Sequence, residues 1–148
     1  MVKFHRQRGG SLLNEIAKPR SVYDESRRSC FKISFRDFDA SQKYASSFLD
    51  WQNCGWLSKA VETLQGYCNP PLLQQADGDK FAIYGSFPPS DKTMFDYPRG
   101  VPEDANWARI HILNKAVIIG HIVGDTFYVV FLDKTHKFWL TKQARGEK

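Results

Sequence analysis

Apolar and polar positions alternate most densely in the last third of the chain, Trp107 to Leu140, which runs WARIHILNKAVIIGHIVGDTFYVVFLDKTHKFWL. So many β-branched and aromatic residues predict three consecutive antiparallel strands. Asn114-Lys115 and Gly124-Asp125 fall where two-residue hairpin turns belong, because Asn, Gly and Asp tolerate positive φ. Turns of that length put residue 112 opposite 117, 110 opposite 119, and 120 opposite 129. One face then carries Ala108, Ile110, Ile112, Val117, Ile119, His121, Tyr128, Val130 and Leu132, the purer core. The other mixes Trp107, Ile118, Ile122, Phe127, Val129 and Phe131 with Arg109, His111 and Asp133, which suits a working surface. A one-residue slip in either hairpin exchanges the two faces.

Upstream, FKISFRDF (31–38) alternates with period two and predicts a half-buried strand. Asp39 and Ser41 offer caps for a helix starting near residue 41. The helical region from Ser41 to Cys68 divides near Asn53-Cys54-Gly55. In its second piece Trp56, Leu57, Ala60, Val61, Leu64 and Cys68 recur at helical spacing, as a core-facing stripe does. Trp51 and Trp56 suit the core. Asn69-Pro70-Pro71 ends the helix, since proline has no N–H and bars helix from its predecessor. KFAIYGSF (80–87) suits a short strand. Residues 85–106 form a proline-rich loop whose Phe87, Phe95 and Tyr97 predict that it packs down. The expected fold is α+β: a single antiparallel sheet of four to five strands with a C-terminal three-strand meander, and two helices packed on one face.

Charge divides the chain further. Residues 1–32 hold eight basic and three acidic side chains, which accounts for the whole net charge of +5. Residues 1–30 are therefore expected to be a basic N-terminal arm, and residues 31–148 a single domain. Within the arm, Leu12, Leu13 and Ile16 suit a turn or two of helix capped by Ser11, or the arm stays disordered. Lys134, Lys137, Lys142, Arg145 and Lys148 make the C-terminal end basic again. Basic patches at both ends suit a polyanion such as RNA, or simply aid solubility. No apolar run is long enough to span a membrane, and no secretory leader is evident. Three cysteines without C-x-x-C spacing argue against a disulfide framework or a zinc site. A cytoplasmic location is expected by exclusion.

Phosphate-binding, dinucleotide-binding, nucleophile-elbow and H-E-x-x-H motifs are all absent from the sequence. Asp37 and Asp39 form a D-x-D pair, a spacing some metal-dependent nucleases use, at a junction where Asp also caps turns. His121 suits a hydrogen-bonded core histidine opposite Tyr128. His136, flanked by Lys134 and Lys137, is expected where side chains reach solvent and can exchange a proton with a leaving oxygen. Neighbouring cations would neutralise a scissile phosphate. Phe138 and Trp139 offer rings on which bases stack. The bland reading is that HKFW closes the sheet by aromatic packing.

The order of strand, two helices and a meander ending in His136-Lys137-Phe138-Trp139 resembles the RelE/ParE superfamily of toxin–antitoxin toxins. Arg109 matches the family's arginine-bearing first meander strand. This chain departs in its added arm, its proline-rich insertion, the lack of an arginine in AVIIGHIV, and a terminal Phe or Trp in place of Tyr. The resemblance implies metal-independent cleavage of messenger RNA through 2′-hydroxyl attack, with no cofactor. It casts His136 as general acid or base, Arg109, Lys134 and Lys137 as phosphate-binding groups, and His111 as an assistant. It also implies RNA on the ribosome, and a small antitoxin, as partners. The competing reading is a non-enzymatic module that binds protein or nucleic acid through the sheet face, the loop and the arm. A metal nuclease using Asp37 and Asp39 is a third.

Overall fold

The computed structural model describes residues 30–140; the arm around Leu12, Leu13 and Ile16 and the basic residues beyond 140 lie outside the described residues. Among the described residues six strands form one sheet: β1 (Lys32–Ser34), β2 (Ala45–Ser46), β3 (Phe81–Gly85), β4 (Asn106–Leu113), β5 (Ala116–Val123) and β6 (Thr126–Asp133). Their spatial order is β1-β6-β5-β4-β3, and β2 also lies against β6. The α+β class and the C-terminal meander are as expected, but the sheet is larger and mixed. β1 runs parallel to β6, whereas β2 pairs with the end of β6 in the antiparallel sense.

The reason lies in the short β1. Alternation suggested a strand through Phe38, yet pairing stops at Ser34 and the chain turns, with the Phe38 amide donating to the Phe35 carbonyl. Phe35 is left 49% exposed. The returning Asp39 amide then donates to the carbonyl of Val130 at 2.8 Å, which pins the loop to β6.

The helices are α1 (Phe48–Asn53) and α2 (Leu57–Gly66). α1 starts later than expected because β2 intervenes and Ser47 supplies the cap. Ser47 Oγ accepts from the Asp50 amide at 3.0 Å, and Asp50 returns the bond to the Ser47 amide at 2.9 Å. Such a reciprocal cap satisfies two otherwise orphaned donors. The break between helices falls at Gly55, whose φ of +78° suits glycine. Ala60 and Leu64 of α2 face the sheet, whereas Val61 of the expected stripe points outward. Trp51 is fully buried and meets Trp56 edge-on at 5.9 Å, both in the core as expected.

Both predicted hairpin turns are present, and the register beside each is as expected: Leu113 faces Ala116, and His121 faces Tyr128. Farther along, a bulge in each ladder shifts the pairing by one residue, so Ile110 faces Ile118 and Ile119 faces Phe131. A bulge places two residues against one, which re-aims every side chain beyond it. The expected face lists are therefore corrected. Ala108, Ile110, Ile118, Ile122, Phe127, Val129 and Leu132 face the helices, with Phe31, Phe81 and Leu72. The second face holds Trp107, Val117, Ile119, Val130 and Phe131, roofed by Phe95, Val101 and Phe138. Thus the second face is a second core rather than an open working surface. The proline-rich loop packs down over it, as its aromatics predicted. Each large side chain so buried contributes about 1.5–3 kcal/mol.

Candidate functional site

The roof over the second core continues into the C-terminal segment. The Met94 amide donates to the Lys137 carbonyl at 3.0 Å, and the Leu140 amide to the Lys92 carbonyl at 2.7 Å. Between these contacts the chain turns sharply, because His136 adopts a left-handed conformation with φ of +63°. The turn is held from beneath by Asp133, a fully buried carboxylate at the end of β6. Its two oxygens accept hydrogen bonds from the backbone amides of Lys137 (2.9 Å) and Phe138 (2.8 Å). Burial raises the Asp133 pKa, and these amides together with His136 pull it partly back.

At the neighbouring edge, a bulge between Ile83 and Gly85 sets Tyr84 on the second face. There Tyr84 stacks on Trp139, with centroids 4.8 Å apart, and on Phe138 at 5.9 Å. Arg109 projects from β4 beside the Tyr84 hydroxyl. Burial pushes the Tyr84 phenol up, while the Arg109 guanidinium beside it acts the other way. Arg109 also donates to the Asp79 carbonyl at 2.6 Å, which anchors one end of its guanidinium. Tyr84 feels the Asp133 carboxylate as well, and Asp133 in turn feels His136. Three separate stretches of chain thus meet along one rim: Tyr84 from β3, Arg109 from β4, and the Asp133–Trp139 turn.

Other candidates lie elsewhere. His111 is tied through Nε2 to the Asn114 carbonyl of its own hairpin turn at 2.8 Å. Lys134 sits with its ammonium 5.7 Å from the Trp56 ring, toward the helices. Lys137 contributes backbone to the turn, and its side chain is half-buried. Phe138 is 0% exposed and packs against Phe87, Phe95, Trp107 and Phe131, so it offers no face to a base. Its expected stacking role is corrected to that of a roof for the second core.

The D-x-D pair divides: Asp39 caps a turn as expected, and Asp37 does not. Asp39 Oδ1 accepts from the amide and hydroxyl of Ser41 at 2.8 and 2.6 Å. Asp37 Oδ2 lies 2.9 Å from Nε2 of His121, which is 2% exposed and stacks on Tyr128 at 4.8 Å. His121 is thus the hydrogen-bonded core histidine expected of it. With Asp37 ionised, Nε2–H is the donor in that pair. Among the described residues no group of three or more His, Cys, Asp or Glu side chains could hold a metal ion. Nor is any helix among them long and apolar enough to cross a membrane.

Tyr84 escaped the sequence reading, since a bulge in the strand KFAIYGSF is not marked by alternation. Its one local sign is the following Gly85, with φ of +87°. The chain matches no family model, no curated protein and no solved structure.

Proposed function

We propose that the protein is a metal-independent endoribonuclease of RelE-like type, acting on messenger RNA in the cytoplasm and restrained by a small antitoxin protein. The observation that carries this reading is the rim where Arg109, Tyr84 and Trp139 meet beside the His136 turn. A cation, a phenol, a partly exposed aromatic ring and an imidazole are what such a reaction asks of a protein. Trp139 stacks a base, and Arg109 with the Tyr84 hydroxyl contacts the non-bridging phosphate oxygens. The 2′-hydroxyl attacks the adjacent phosphorus, so the O2′–P bond forms as the P–O5′ bond breaks. His136 donates a proton to the departing 5′-oxygen while water takes the 2′-hydroxyl proton, or His136 takes that proton while water protonates the 5′-oxygen. The products are a 2′,3′-cyclic phosphate and a 5′-hydroxyl. Arg109 supplies charge where it builds up in the transition state, the term that usually counts most.

A second reading is favoured by one contact. Arg109 is already bonded to the Asp79 carbonyl, which suits a fixed binding surface for RNA without turnover. Growth after tight, inducible expression in a bacterium separates the two. A ribonuclease arrests growth, and His136→Ala or Arg109→Ala relieves the arrest while folded protein still accumulates. A binding module causes no arrest that depends on His136.

A further inference from the structure

Three strands across the sheet from Tyr84, a cleft of about 610 Å³ opens between the loop after β1 and the proline-rich loop. Its two sides are fixed to one another. The Gln42 side-chain amide donates to the Asp96 carbonyl, and its oxygen accepts from the Asp96 amide, both at 2.7 Å. Asp37 is held from behind by His121 and from the front by Arg36 Nε at 3.3 Å. Arg36 itself rests over the Tyr128 ring at 5.3 Å.

With those bonds made, a distinct set of groups is left facing the cleft. The terminal guanidinium nitrogens of Arg36 are unspent, and Arg99 makes no hydrogen bond or ion pair among the described residues. The Asp96 carboxylate is likewise unbonded there, because only its backbone is used, and Asp39, in the same lining, keeps its Oδ2 unbonded among the described residues. Rings of Phe38 and Tyr97 complete the lining. The volume falls within the range of small-molecule sites. Two guanidinium groups suit a phosphate. An unbonded carboxylate suits a pair of adjacent N–H donors on a flat ring, which among the common bases only guanine presents alongside an exocyclic amine. Neither a bare anion nor a bare cation satisfies both halves of this lining.

We propose that the cleft binds a guanine nucleotide. Arg36 and Arg99 take its phosphate, Asp96 accepts from its N1–H and N2 amino group, and Phe38 or Tyr97 lies against the ring. The same chemistry is offered by free GMP and by a guanosine within an RNA strand. The site stands independently of the proposed cleavage. If both hold, it supplies base selection at a distance from the scissile phosphate.

The test is titration of the full chain with GMP, UMP and inorganic phosphate, followed by backbone amide shifts. GMP is expected to shift the amides of Arg36, Tyr97 and Arg99 saturably, at least about tenfold more tightly than UMP, equivalent to about 1.4 kcal/mol. Arg99→Ala, an exposed and unpartnered position, weakens GMP by about tenfold or more with the thermal midpoint unchanged, and Asp96→Asn abolishes the preference over UMP. A guanosine-containing oligoribonucleotide binding more tightly at the same amides identifies RNA as the source, whereas equal affinity identifies the free nucleotide. Equal binding of GMP and UMP, phosphate alone binding as tightly as GMP, or no saturable shift at roughly millimolar ligand overturns the proposal. His136→Ala removes the proposed cleavage and leaves GMP binding intact, so the two readings fail separately.

Discussion

Trp139 stacks on Tyr84 with ring centroids 4.8 Å apart and planes inclined by 24°, although 55 positions of chain separate them. That stack joins the C-terminal segment to the β3 edge and holds a polarisable ring beside the Arg109 cation. Tyr84→Phe keeps the stacking and removes only the hydroxyl next to Arg109. The expected result is a drop in RNA cleavage of about tenfold, about 1.4 kcal/mol of transition-state stabilisation. The thermal midpoint should scarcely move. Tyr84→Ala lowers both, which calorimetry and a cleavage assay would separate.

His136 occupies a left-handed backbone position that costs an L-residue about 1–2 kcal/mol and glycine almost nothing. His136→Gly is therefore expected to fold at least as stably as wild type, by up to about 1 kcal/mol in a urea titration, while cleavage is lost. His136→Ala keeps the strain and loses the same activity. A glycine variant that is more stable yet inactive separates chemistry from turn-making at this residue.

Part of this arrangement was legible in the sequence and part was not. The meander, both hairpin turns and the helix break at Asn53-Cys54-Gly55 follow from turn residues and from runs of β-branched side chains. Those signals are local. The two bulges that exchanged the sheet faces lie in β4, at Ile112, and in β6, at Val130, and neither NWARIHIL nor TFYVVFLD carries a local signature of them. They show only in the pairing of one strand with another. The same holds for Tyr84, aimed by a bulge, and for the parallel placement of β1 against β6. Phe138 looked like a stacking surface because HKFW is polar around it, but the proline-rich loop closes over that ring. Arg109, His136 and Trp139 were singled out from sequence; their meeting with Tyr84 and Asp133 is a product of topology.

Asp133 gives a pH dependence of known sign. Burial raises its pKa in the folded state above the ordinary carboxylate value of 3.8. Between these two values the folded state holds more proton than the unfolded one, so this group's contribution to stability falls as pH rises. At neutral pH the buried charge is a net cost, offset in part by the two amide bonds. Asp133→Asn removes the ionisation and replaces one acceptor with a donor. Urea titrations from about pH 4 to pH 7 are expected to show wild type losing ground to the variant as pH rises. A constant difference across that window contradicts the assignment.

Gly120 has no room for a side chain. A Cβ there would press on the Tyr128 carbonyl and approach the Phe127 ring to 2.8 Å, both beside the β5–β6 bulge. Gly120→Ala is expected to cost about 1–3 kcal/mol or more, read as a lower denaturation midpoint. The loss should be accompanied by shifted resonances in both β5 and β6.

In the proposed reaction the Arg109–Tyr84–Trp139 rim and the His136 turn cleave RNA without a metal. Purified protein is incubated with messenger RNA in excess chelator and the new ends are mapped. Fragments ending in 2′,3′-cyclic phosphate and 5′-hydroxyl are expected, formed by wild type and reduced by at least about a hundredfold in His136→Ala, the usual scale of a general acid or base. Intact RNA with the wild-type protein, or equal cleavage by the two proteins, would contradict that reaction.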